Sequence, residues 1–126
     1  KKEKSDLYVL LNRDKLFQVI LNILENSISL SSKGSKILIT SKRNEKDLAE
    51  IKIYDQGPGV KIQDKSKIFN RFYTDRDKNR ENHSGLGLSI SKEIVKSFSG
   101  SIELTISDNL DFSGACFMIK LPLRPN

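Results

Sequence analysis

"DKLFQVILNILENSISLSS", residues 14 to 32, is the stretch on which the reading of the fold turns. Leu16, Phe17, Ile20, Ile23, Leu24 and Ile28 recur at helical spacing, which predicts a helix from Arg13 to about Leu30. Asn12 stands where an N-cap is needed, and Asp14 puts negative charge in the first turn, at the positive end of the helix dipole. "SSKGS" (31 to 35) ends the helix. Polar residues interrupt it. Asn22 and Asn26 stand at i and i+4 and so share one face; Ser29 continues that stripe, and Lys15 and Gln18 extend it backward. Asn is a poor interior helix residue because its side chain competes for backbone hydrogen bonds. One such residue is ordinarily solvated or satisfied locally. Two in register beside an apolar face suit a ligand, and amide oxygens are hard, neutral ligands for a Mg²⁺ that keeps several waters and is shared with phosphates.

Outward from this helix, "LYVLL" (7 to 11) reads as a short strand before it. After it come "KILITSKR" (36 to 43), a turn at "EKD", and "LAEIKIYD" (48 to 55), where Leu48, Ile51 and Ile53 alternate with Glu50, Lys52 and Tyr54. "DQGPGV" (55 to 60) breaks the alternation. Gly-Pro-Gly builds a β-turn unaided. The same glycines also let a planar base lie against the backbone, and Asp55, at a strand end, can accept hydrogen bonds from an amino group. A short helix is expected over Lys65 to Phe72, with Ile68, Phe69 and Phe72 on one face. Residues 73 to 84, "YTDRDKNRENHS", are polar and without period, and read as a mobile loop longer than most connections in compact domains. A second helix follows, with Leu88, Ile90, Ile94, Val95 and Phe98 apolar and Gly100 closing it. "SIELTIS" (101 to 107) and "ACFMIKLP" (115 to 122) are two further strands. This layout is α+β, with helices on one face of a largely antiparallel sheet.

The bulk properties narrow the function. The 126 residues, 37% apolar and 30% charged, suit a single soluble globular domain. The charge of +6 is scattered, with no basic stripe interleaved by aromatics, which argues against a nucleic-acid partner. No apolar run approaches the ~20 residues of a membrane span, and no signal peptide is visible, so no direct membrane contact is expected of this chain. One cysteine, Cys116, excludes an internal disulfide and reads as a buried structural thiol; with the single His83 it cannot build a zinc site. The chain starts at Lys1 without a Met and reads as a fragment of a longer protein.

Gly85-Leu86-Gly87 stands directly before the second helix. A helix N-terminus presents unpaired N–H groups and partial positive charge, which suits phosphate, and glycines let the ligand approach. The spacing matches neither a Walker P-loop nor a Rossmann fingerprint. Taken in order, an Asn-bearing helix, a strand ending in D-x-G-x-G, an F-x-R-F-Y segment, a polar loop and G-L-G-L opening a helix resemble the ATP-binding catalytic domain of a sensor histidine kinase, within the superfamily of Hsp90, gyrase B and MutL ATPases. The resemblance runs from about residue 7 to residue 123. It implies a two-layer α/β sandwich of the Bergerat type, with a mixed, mostly antiparallel sheet and a lid loop, and one ATP-binding catalytic domain over residues 1–126 of a longer kinase.

The resemblance also implies roles. Asn22 and Asn26 of the N box would face the nucleotide, with Asn26 the Mg²⁺ ligand. Asp55 would meet the adenine amino group, beside Gly57, Gly59 and Val60. "IFNRFY" (68 to 73) matches the F box, with Tyr73 near the nucleotide and Phe69 and Phe72 anchoring the lid. Ser84, Gly85, Leu86, Gly87 and Leu88 would carry the phosphates on their backbone, and Gly114 and Ala115 match the last glycine-box position. Arg71, Arg76 and Lys33 are the candidate charge partners for phosphoryl transfer. The chain departs from the family at Ser29 and Leu30, where a Lys and an aromatic are usual, at Thr74 in place of a basic residue, and at His83 in place of a glycine. Those changes imply weaker phosphate binding or an altered lid.

The expected cofactors are ATP and Mg²⁺. The expected reaction is transfer of the γ-phosphate to a histidine on a separate dimerisation and histidine-phosphotransfer domain of the same kinase, with a response regulator as further partner. The expected location is cytoplasmic, in a membrane-bound sensor kinase. His83 lacks the acidic neighbour and helical frame of an acceptor and reads as a lid residue. A self-contained ATPase or anti-sigma-type Ser kinase would need a Glu at Asn22, because Asn cannot take a proton. A nucleotide-sensing interaction module without phosphotransfer is the alternative from another class.

Overall fold

The structure, a computed structural model, describes residues 9, 12–30, 32–59, 67–70 and 87–123. Its elements run α1 (Arg13–Leu30), β1 (Leu38–Arg43), β2 (Leu48–Tyr54), α2 (Gly87–Ser97), β3 (Ser101–Thr105) and β4 (Cys116–Pro122). The strands form one sheet in the order β1-β2-β4-β3, and all three pairings are antiparallel. The expected parallel element of a mixed sheet is not among the described strands. Of the strand expected at residues 7 to 11, Val9 alone is described, and it bridges to Leu123.

The start of α1 is dictated locally. Asn12 Oδ1 accepts from the Asp14 and Lys15 backbone N–H groups at 2.8 and 3.2 Å, satisfying two of the helix's orphan donors. Three-dimensional packing then selects among its apolar residues. Val19 and Ile23 are fully buried, and Leu16, Ile20 and Leu24 pack against the core. Phe17 and Ile28 do not join them: each is 63% exposed. At 100° per residue the core-facing stripe takes 16, 19, 20 and 23, which turns 17 and 28 outward.

α2 ends without glycine in the left-handed position. Ser99 takes it, at φ 64°, and Gly100 N–H returns to the Val95 carbonyl at 2.9 Å. Gly100 is required for another reason. A Cβ there would stand 2.5 Å from the Lys120 carbonyl oxygen and 2.7 Å from Leu121 Cδ2. The chain turns back onto β4 too tightly for a side chain.

Strand alternation sorts the sheet into two faces. Ile53, Ile102, Phe117, Ile119 and Leu121 join Val19, Ile23, Leu88 and Val95 in one core, so both helices cover the same face. Residues 67–70 form one turn closed by Asn70 N–H to the Lys67 carbonyl, where a longer helix was expected over 65 to 72; the flanking residues lie outside those described. That turn seats Ile68 and Phe69 in the core, and Phe69 meets Phe117 edge to face, centroids 6.1 Å apart.

The opposite face carries Glu50 between Lys42 and Lys120, its direct cross-strand partners. It also holds an unexpected burial: Tyr54, read as the polar side of β2, is 5% exposed. Its hydroxyl donates to Asp108 Oδ1 at 2.7 Å, while Lys52 Nζ lies 3.3 Å from Asp108 Oδ2. Burial, helped by the Asp108 hydrogen bond and charge, pushes the Tyr54 phenol up to about 12. The Tyr54 hydrogen bond in turn holds Asp108 below the usual carboxylate range. Cys116, fully buried as expected, is pushed up to about 11 by burial. These thiol and phenol protons stay on the folded chain after the unfolded chain has lost them, so stability falls as pH rises, from 9 to 11 for Cys116 and from 10 to 12 for Tyr54. Urea midpoints at pH 10 and 11.5 should therefore converge in Tyr54→Phe relative to the parent chain. An equal drop in both proteins would remove Tyr54 from this account.

Candidate functional site

Two groups of residues, each assembled from distant parts of the chain, make up the site. The first lies where β2 ends. Asp55 is 1% exposed, and its Oδ1 accepts from the backbone N–H of Gly57 at 3.0 Å and of Ala115 at 2.8 Å. The backbones close the same junction: Asp55 N–H donates to the Ala115 carbonyl and Gly114 N–H to the Asp55 carbonyl, both at 3.0 Å. A buried carboxylate is costly unless hydrogen-bonded. Here one oxygen takes both bonds, which orients the group and leaves the other oxygen unused by them.

The glycines around it are needed sterically. A Cβ on Gly114 would fall on Asp55 Oδ1 and within 2.7 Å of the Gly57 nitrogen and oxygen. Gly59 has φ 82°, a left-handed conformation that only glycine adopts at little cost. Gln56 ties in two more loops: its Oε1 accepts from the Lys36 N–H at 2.8 Å, and its Nε2 donates to the Asp111 carbonyl at 2.9 Å. The loop bearing Lys33 is thereby held at the same end of the sheet, with Lys33 exposed.

The second group lies between the helices. Asn22 Nδ2 donates to the Gly87 carbonyl and to Ser91 Oγ, each at 3.1 Å, and Ser91 Oγ donates to the same carbonyl at 2.9 Å. Asn22 thus clasps the first turn of α2. Asn26, one turn along the same stripe, is 6% exposed. Leu88 turns its side chain into the core. Among the described residues no three His, Cys, Asp or Glu side chains group to hold a metal. Asn22 and Asn26 add two carboxamide oxygens on one face of α1, a hard and neutral donor type.

Val60, Arg71, Phe72, Tyr73, Thr74, Arg76, His83, Ser84, Gly85 and Leu86 lie outside the described residues. Sequence reading missed Ser91. Its signal was a hydroxyl on an apolar stripe, at i+3 from Leu88 and i−4 from Val95, where a Ser is out of place unless it has a partner.

No described helix is long and apolar enough to cross a membrane. The histidine kinase-, DNA gyrase B- and HSP90-like ATPase family matches residues 11–125. The sensor histidine kinase WalK of Bacillus subtilis is 34% identical over 122 residues, covering 94% of this chain and 20% of WalK. The sensor protein ChvG of Agrobacterium fabrum is 36% identical over 112 residues, covering 86% of this chain and 19% of ChvG. The chain thus spans about a fifth of the length of these curated relatives. The solved structure of the mycobacterial sensor histidine kinase MprB superposes with a TM-score of 0.82 at 30% identity, over 94% of this chain and 78% of that one. With the Asn-bearing helix, the Asp55 junction and the glycine-opened α2 in these positions, the chain belongs to the histidine kinase-, DNA gyrase B- and HSP90-like ATPases, on the branch that supplies the catalytic ATP-binding domains of sensor histidine kinases.

Proposed function

We propose that this chain is the ATP-binding catalytic domain of a longer sensor histidine kinase, that it holds Mg-ATP, and that it delivers the γ-phosphate to a histidine on a separate dimerisation domain of the same kinase, from which a response regulator is served. A place in the cytoplasmic part of a membrane-bound kinase follows from that assignment. The observation that carries the reading is Asp55: a fully buried carboxylate with one oxygen locked by two backbone N–H groups, in room that exists because Gly114 has no Cβ. Such a group recognises an amino donor on a flat ring, as adenine offers.

The other roles follow from position. Asn26 would lend its carboxamide oxygen to Mg²⁺, whose charge would offset that of the phosphates. The α2 N-terminus would meet phosphate oxygens with its backbone N–H groups and dipole, and Lys33, Arg71 and Arg76 would add positive charge. Phosphoryl transfer asks for this kind of positioning and charge neutralisation more than for covalent chemistry from the protein. The test supplies a helical dimerisation domain bearing its histidine together with γ-labelled ATP. Label on that histidine is expected. ATP binding without label would favour the nucleotide-sensing module instead.

Gly87→Ala separates ligand approach from folding. An added Cβ would meet Asn22 atoms at 3.7 to 3.9 Å, ordinary contact distances. The variant should unfold at a temperature equal to or slightly above the parent's, because Ala is a better helix residue than Gly by about 0.5–1 kcal/mol. Its ATP affinity should fall roughly tenfold or more, as hydrogen bonds to charged groups contribute about 1.5–3 kcal/mol each. Unchanged affinity in calorimetry would take the phosphates away from this helix end.

A further inference from the structure

We infer that Ser91 is a positioning residue that fixes which end of the Asn22 carboxamide faces the nucleotide; this rests on the nucleotide-site reading above. The two ends of a carboxamide are chemical opposites. The oxygen accepts hydrogen bonds and binds cations, and the NH₂ donates and repels them. The hydrogen-bond inventory decides the orientation. The Gly87 carbonyl can only accept, so it demands the NH₂ of Asn22. The Ser91 hydroxyl has one proton, given to that same carbonyl at 2.9 Å, so towards Asn22 its oxygen can only accept. Both partners therefore hold Nδ2 against α2, and Oδ1 is turned away from them.

Oδ1 then borders the space that Gly87 leaves bare: a Cβ there would stand 3.9 Å from it. That is the side on which a phosphate or its cation would approach the helix end. Ser91 is 0% exposed, so its hydroxyl reaches no solvent, and among the described residues it bonds within this triangle. Without it, one Asn22 N–H loses its partner, and the carboxamide is held by a single bond about which it can tilt.

Binding by Ser91→Ala, Ser91→Thr, Asn22→Ala and the double variant tests this, with thermal unfolding of each. Expected is a loss of Mg-ATP affinity of roughly three- to tenfold in Ser91→Ala, the scale of one hydrogen bond, with recovery in Ser91→Thr, which keeps the hydroxyl. Adenosine, which lacks phosphates, should bind all of them alike. In the Asn22→Ala background the Ser91→Ala change should have no further effect, the signature of action through Asn22. A purely structural Ser91 would lower Mg-ATP and adenosine affinity together and act additively with Asn22→Ala; either result overturns the inference. If the parent chain binds Mg-ATP and Ser91→Ala binds it equally, the inference alone fails. If the parent chain does not bind Mg-ATP, the nucleotide-site reading fails and takes the inference with it.

Discussion

Gly114→Ala should lower both stability and nucleotide binding more than any other single methyl group added to the described part of the site. Its Cβ would fall on the Asp55 carboxylate and press on the Gly57 backbone from 2.7 Å. A backbone cannot rotate aside as a long side chain can, so the β2 end and the strand leading into β4 would have to separate. That would strain the three hydrogen bonds that join them: Asp55 N–H to the Ala115 carbonyl, Ala115 N–H to Asp55 Oδ1, and Gly114 N–H to the Asp55 carbonyl. The expected loss is about 2–4 kcal/mol of folding free energy, large against the ~5–15 kcal/mol of a typical domain. The melting temperature should drop by roughly 10 °C, with ATP affinity falling alongside. Gly34→Ala is the control. Gly34 has φ 87° but open space around its Cβ position, so it should cost only the left-handed penalty, about 1–2 kcal/mol, and leave ATP affinity unchanged. Equal effects at the two positions would mean that the contact with Asp55 is not what makes Gly114 necessary.

Asp55→Asn should leave the fold largely in place and change what the site selects. Asn has the shape of Asp and keeps one acceptor oxygen, which can stay on the Gly57 and Ala115 N–H groups. The second oxygen becomes NH₂. An adenine amino group would then meet a donor instead of a carboxylate, with a loss of about 2–3 kcal/mol, roughly 30- to 150-fold in ATP affinity. A purine with a carbonyl in that position, as in ITP, would meet a matching donor, so the preference for ATP over ITP should shrink or invert. Asp55→Ala is the blunter variant, because it also strips the acceptor from two buried N–H groups. ATP affinity within twofold of the parent in Asp55→Asn would refute the adenine assignment.

Much of this was legible in the chain. The bounds of α1 follow from a 3.6-residue apolar period, a capping Asn12 and the "SSKGS" that ends it. The ends of β2 and β4 were read to within a residue, that of β2 because "DQGPGV" breaks its alternation at Asp55. Asp55, Asn22 and Asn26 stood out because each is polar where its element should be apolar. Membership of the family was legible from motif order, which is a property of sequence.

What the sequence could not carry is which faces are covered, and by what. Phe17 and Ile28 share the period of α1 but not its buried side. Tyr54 looked like a solvent-facing residue until Asp108, 54 positions later, folded over it. Ser91 had no visible partner until α1 brought Asn22 against it, and Gly114 was a motif position without a physical reason until Asp55 filled the place of its Cβ. By itself the sequence determined the elements, their order and the chemical groups at their ends, since these depend on local propensity and spacing. Only the tertiary structure decided how Asn22 and Asp55 are oriented, since that depends on hydrogen bonds and steric limits between residues about 60 or more positions apart.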